Sequence, residues 1–263
     1  SDIGMLGVST GANGAADVIG TGALWTTNTL TIGGFNQDLR GGTGDLKVRN
    51  AAAVRVNGEL SMWSSGATVL VDGGTLRAGW LRSDSAVGRI TLQSDPKGGA
   101  ALVLDGNSNA SFAGSFIGTG SLLKTGTGLQ TLAGESPGFS GLTTIQGGQI
   151  VVGHQSALAG STVRLDVNNG LNLNGLSDVT IGSLAGAGAL SLGDTNLVLG
   201  AKDGGFLVYS GGITGGTGSV VVAGGGLNRW SGVSRFDNLQ VTSGRLQLEG
   251  GALTLTNTDQ MLM

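Results

Sequence analysis

Along much of the chain, two apolar residues flank one small or polar residue, and then a glycine or a turn-forming residue breaks the run. The clearest pairs are Leu171/Leu173, Val179/Ile181, Leu190/Leu192, Leu197/Leu199, Leu239/Val241, Leu246/Leu248 and Leu253/Leu255. Alternation with period two predicts a short strand with one face buried. The pairs at 190 and 197, and those at 239, 246 and 253, begin seven residues apart. Seven residues hold one short strand and one tight turn. No stretch carries the helix period; the longest candidate, DLKVRNAAAVRVNG at 45–58, is rich in Val and reads as strands. Antiparallel sandwiches usually space their turn signals by about 8–12 residues. Shorter, regular steps suit a chain that turns at corners and coils. Three steps make a coil of roughly 20–25 residues, within the range of solenoid repeats. The expected fold is all-β, a right-handed parallel β-helix with about three short strands per coil. It forms a single β-helix segment over residues 1–263. One coil cannot bury its inward side alone, so stacking must supply the core.

Composition sharpens this picture. The 263 residues include 53 Gly. A glycine inside a regular element costs roughly 0.5–1 kcal/mol relative to Ala, so interior placement of most of them would cost roughly 25–50 kcal/mol. Net stability is typically only about 5–15 kcal/mol. The glycines therefore belong in turns, where positive φ favours them. Hydrophobic residues make up 39% of the chain, which excludes disorder through low hydrophobicity. Charged residues are only 12%, and the formal charge is −3, so no basic surface argues for nucleic acid or for an anionic membrane. The absence of cysteine excludes a disulfide scaffold, a thiolate zinc site and a cysteine nucleophile.

A longer repeat runs through the pattern. Gly118-Thr-Gly-Ser121 recurs 98 residues later as Gly216-Thr-Gly-Ser219. With that offset Gly126, Leu129, Leu132 and Gly134 align with Gly224, Leu227, Trp230 and Gly232. After a two-residue deletion, Ile145 and Ile150 align with Val241 and Leu246. A weaker copy begins at Gly42-Thr-Gly-Asp45. A drifting unit of this kind indicates one solenoid.

The stretch GTGSLLKTGTGLQTLAGESPGFSGLTTIQGGQIVVG at 118–153 resembles the passenger-associated transport repeat of bacterial autotransporters, in its paired GTG elements, Leu122, Lys124, LAG, FSG and the closing GG-x-I-x-V. Downstream, HQSALAGSTVRLDVNNGLNLNG resembles the usual continuation of such passengers, and the N-terminal segment with Trp25 and LTIGG resembles a second repeat of these adhesins. The AIDA/pertactin-like resemblance implies a passenger secreted by the type V route and displayed on, or released from, the outer surface of a Gram-negative cell. Its partners would be a host-cell surface protein or glycan, or passengers on other cells. Membrane attachment would come only through a C-terminal β-barrel outside this chain, which is expected to be a piece of a longer protein. The implied role is adhesion, autoaggregation or biofilm formation. The alternatives are a passive stem beneath an N-terminal effector and a polysaccharide-active β-helix enzyme.

Candidate chemistry is sparse. A phosphate loop needs a helix N-terminus after its glycines, whereas SLLK and SVVV read as strands. A calcium nonapeptide repeat would place its Asp one position later than Asp45 and repeat in tandem. His154 is the one histidine, too few for a His-rich metal site, and no G-x-S-x-G elbow frames a triad around it. No cofactor, metal site or catalytic set is expected. For binding, Trp63, Trp80, Arg77 and Arg82 are the candidates, as aromatic platforms and a modest basic patch joined by Arg89. The competing reading is packing for the tryptophans and a solvated face for the arginines. Trp230 aligns with the core position Leu132, and Trp80 shares parity with Leu76 and Ala78, which predicts inward side chains at both.

Overall fold

A computed structural model describes residues 2–84, 86–94, 101–200 and 207–256. Among them there is no helix. The strands lie in three columns of parallel neighbours, one column per face of a coil. The first face begins with Asn13–Ile19, Thr43–Arg49, Ala67–Asp72, Arg89–Gln93 and Ser115–Gly118. The second contains Ala101–Leu104, Ser121–Lys124 and Leu142–Ile145 in register. The third contains Ala110–Phe112, Leu129–Leu132 and Gln149–Val152. Each strand pairs with the strand one coil away. On the second face Leu122 lies beside Thr143, Thr143 beside Val163 and Val163 beside Leu184, steps of 21, 20 and 21 residues. The segment expected to read as strands, 45–58, falls in Thr43–Arg49 and Ala53–Met62.

The alternation seen in the sequence becomes the inside and outside of this solenoid. In Ser121–Lys124, Leu129–Leu132, Leu142–Ile145 and Gln149–Val152 every second residue is buried. Leu122, Leu132, Ile145, Ile150 and Val152 stack in one continuous core. Burial of each such side chain contributes about 1.5–3 kcal/mol. The corners are filled by aromatic rungs: Phe112, Phe116 and Phe139 stand 5.3 and 5.9 Å apart. Farther along, Tyr209, Trp230 and Phe236 meet edge to face at 6.3 Å. Trp230 is therefore core, as expected. In the last described turn Leu239, Leu246, Leu253 and Leu255 are only half-buried, because a described neighbour covers them on one side only.

The glycines do more than turn the chain. Gly118, at φ +101°, sits at a corner that favours glycine. Gly126 has no such conformation, yet a Cβ there would stand 2.0 Å from the Gly106 carbonyl oxygen of the neighbouring coil. At Gly141 the same atom would lie 1.6 Å from the Gly120 oxygen. The expectation that positive φ explains the glycines is thus incomplete. Coils stack at about 4.8 Å, and where one corner rests on another there is no room for a side chain.

The 98-residue repeat is displaced by one face. Ser121–Lys124 lies on the second face, whereas its counterpart at 219–222 pairs with Asn196–Leu199 on the first. Trp230 consequently pairs with Tyr209 on the second face rather than on the face of Leu132. The unit that recurs is a strand–corner–strand step, and the three faces are similar enough to accept it in either phase. Seven-residue spacing has the same meaning: Leu239, Leu246 and Leu253 occupy successive faces.

Several polar groups inside are satisfied by short links, whereas the Thr195 hydroxyl and the Trp230 indole N–H are buried without a hydrogen-bond partner. Gln130 reaches across the small Ala110 to Leu81, accepting from its N–H at 2.9 Å and donating to its carbonyl at 3.1 Å. It patches a break in the third face, where the sheet holding 80–82 ends and that of Ala110–Phe112 begins. Lys124 is buried and donates to the Gly126 carbonyl; desolvation pushes its ammonium below the ordinary lysine range. The Tyr209 hydroxyl lies 3.0 Å from both the Gly188 and Gly212 carbonyl oxygens, and burial pushes its phenol well above the usual value.

Two expectations follow. Gly126→Ala should lower stability by about 1–3 kcal/mol through overpacking. Gly225→Ala, where a Cβ meets nothing within 4 Å and φ is not positive, should be neutral or stabilising by up to about 1 kcal/mol. Urea midpoints compare the two. Tyr209→Phe should cost about 1 kcal/mol near neutral pH. Because the folded-state pKa is raised, the stability linked to this phenol is intact below the unfolded value of about 10 and lost as pH rises above it. The deficit of the Phe variant should therefore shrink between about pH 10 and 11.5, read from denaturation midpoints across that range.

Candidate functional site

The coil is not equally long everywhere. On the second face Leu24 pairs with Ala53, a step of 29 residues, against 20 from Leu102 to Leu122. The surplus forms a corner loop over 33–42, reading GGFNQDLRGG, between Thr29–Ile32 on the third face and Thr43–Arg49 on the first. Asn36 organises it: Oδ1 accepts from the Asp38 and Leu39 N–H groups at 3.0 and 2.8 Å. The Phe35 N–H donates to the Leu39 carbonyl at 2.9 Å, closing a small hairpin. Arg40 fastens it to the wall through an ion pair with Asp84 at 3.1 Å. Phe35 and Leu39 are left exposed, at 54% and 61%.

Between this loop and the third face runs an open groove of about 660 Å³. Phe35 and Asp38 line it from the loop; Glu59, Trp63, Trp80 and Arg82 line it from the coil wall. Thr31 and Ser61 add hydroxyls, linked to each other at 3.1 Å. Glu59 is fixed from two sides: Trp80 Nε1–H donates to its Oε2 at 3.2 Å, and Arg82 lies 3.5 Å from the same oxygen. A second, smaller depression shares Gln37 and Arg82 with the groove and reaches Asn109 and Ser111, so the furrow continues along the solenoid.

Three of the four sequence candidates thus meet in one place. Trp63 is almost fully buried and forms the wall. Trp80 points outward, contrary to the expectation from its parity with Leu76 and Ala78. The corner at Gly79 takes up one position, so the buried residues run Ala78, Gly79, Leu81 and the alternation changes phase. The same slip shows as a register shift between Val56 and Glu59. Glycine neighbours make the room: a Cβ on Gly106 would come within 2.7 Å of the Trp80 ring. Arg77 lies apart, on the second face, paired with Asp105. Arg89 is on the first face and Arg82 on the third, so the three arginines form no common patch. Phe35, Asp38 and Glu59 escaped the sequence reading. The available signal was the polar stretch 33–42 interrupting the regular step.

The other candidate chemistries resolve into structure. The Gly118-Thr-Gly120 turn leads into a strand, Ser121–Lys124, so no helix end faces a phosphate. His154 Nδ1 accepts from the Ser156 N–H at 3.1 Å, within a turn. Asp194 accepts from the Thr217 hydroxyl at 2.9 Å, also at a turn. Among the described residues no three His, Cys, Asp or Glu side chains cluster as a metal site would require.

The geometry is that of a regular scaffold with a furnished groove beside its corner loop; another open depression, of about 540 Å³, lies between Gln149, Asn172 and Asp194. Comparison with characterised proteins gives it a context. Over 161 residues, 59% of the chain, it is 33% identical to the protein named Adhesin BmaC autotransporter from Brucella suis biovar 1 (strain 1330). The chain is similar to an autotransporter adhesin. That agrees with the resemblance read from residues 118–153, and with the parallel β-solenoid. The chain spans about 4% of the length of that relative. No family model matches the sequence, and no solved structure matches it.

Proposed function

We propose that this chain is a segment of a surface-displayed autotransporter passenger and acts as an adhesin. The observation that carries the reading is the 33% identity to an autotransporter adhesin, on a chain that folds as a parallel solenoid. The outer faces suit the role. They present ladders of polar side chains one coil apart, such as Asn28 with Asn57 at 3.0 Å and Asp45 with Thr68 at 2.8 Å. Each contact from such a ladder is weak, but many in register on one rigid body act together, and display of many copies on a cell multiplies them. The partner is a host-cell surface protein or glycan, or passengers on neighbouring cells. Secretion by the type V route and anchoring through a β-barrel elsewhere in the full protein complete the picture. The competing role is a passive stem, which would need length and stiffness but no specific surface.

Cells displaying the full-length protein should adhere or clump more than cells in which residues 2–256 are deleted. Replacement of this segment by an unrelated β-helix of equal length should leave the deficit in place. Full recovery by the replacement would favour the stem, and equal adhesion of intact and deleted forms would contradict the adhesin role.

A further inference from the structure

We propose that the groove between the 33–42 loop and the third face binds a neutral oligosaccharide; this rests on the adhesin reading and names the ligand class of one site within it. Four observations point this way. The first is that the loop is surplus to the fold: the next coil on the same face closes with seven fewer residues (steps of 29 and 22). Long, ordered corner loops in a regular scaffold are where binding residues concentrate. The second is aromatic surface out of its ordinary place. Phe35 is 54% exposed on the loop, and Trp80, turned outward by the phase change at Gly79, stays only half-buried across the groove from it. Apolar ring faces beside polar acceptors suit a sugar, whose C–H face stacks while its hydroxyls donate.

The third observation is the fixed acceptor. Glu59 is held by the Trp80 indole N–H and the Arg82 guanidinium, so its carboxylate is positioned before any ligand arrives. Such preorganisation lowers the ordering cost of binding. The fourth is charge. The groove carries two carboxylates, Asp38 and Glu59, against one guanidinium already engaged by Glu59. A uronate or sialylated chain would meet uncompensated negative charge; a neutral chain meets acceptors for its hydroxyls. The furrow continues past Arg82 to Asn109 and Ser111, crossing coil after coil, which suits a chain rather than a single sugar.

The test is titration of the purified 263-residue chain with neutral gluco-, galacto- and manno-oligosaccharides and with an oligogalacturonate, followed by calorimetry. At least one neutral series should bind, with the acidic one weaker. Trp80→Ala should weaken binding about tenfold or more, and Phe35→Ala, at an exposed position, should weaken it with unchanged thermal unfolding. Arg77→Ala, on another face, should bind as the parent does. Absence of binding by all neutral series, tighter binding of the oligogalacturonate, or full binding by both Trp80→Ala and Phe35→Ala would overturn the proposal. If binding is absent while cells displaying the full protein still adhere, the glycan site fails and the adhesin reading stands.

Discussion

Everything in this molecule depends on corner resting on corner. Parallel strands in successive coils stand about 4.8 Å apart, and the turns that join them must approach as closely. At Gly126, Gly134 and Gly141 the neighbouring carbonyl oxygen would lie 2.0, 2.0 and 1.6 Å from an added Cβ. Only a bare backbone fits. Once the corners can touch, the faces between them stack in register, and the inward Leu, Ile and Val form one core without long connections. Much of the glycine content and the seven-residue step follow from this restriction, with positive φ accounting for further glycines such as Gly20 and Gly193.

The same restriction explains how the chain carries function. A coil tightly stacked on all three faces has little freedom to build a concave site. Concavity has to come from an interruption, and the surplus at 33–42 is one. It stands off the wall, is pinned by Arg40 and Asp84, and faces side chains that the wall would otherwise present flat. The rest of the surface offers repeated polar ladders, suited to many shallow contacts. Resemblance to an autotransporter adhesin and the furnished groove therefore describe two scales of one surface.

Much of the architecture was legible in the residues, because period-two alternation and glycine breaks report strand and corner directly. Leu190/Leu192 and Leu197/Leu199 are buried pairs on successive faces, as their spacing implied. What could not be read was phase. Parity counted from Leu76 sends Trp80 inward, but a corner at Gly79 consumes one residue and reverses it. The 98-residue repeat aligns well in sequence yet lands one face away, since steps, not whole coils, are the unit that drifts. Nor could the groove be assembled: Phe35, Glu59 and Trp80 lie on three different coils, and their meeting depends on loop geometry rather than on any local pattern.

The stacking itself is open to a direct ruler. On the second face Arg55, Arg77, Val103, Leu123, Thr144 and Arg164 are successive register partners. The chain has no cysteine, so paired cysteine substitutions can be spin-labelled without background. Pulsed electron resonance on labels at 55 and 164 should give about 24 Å, and labels at 77 and 164 about 19 Å, an increment of about 4.8 Å per coil. Distances that scale with sequence separation, or that fail to change by one coil spacing between the two pairs, would contradict the stacked solenoid.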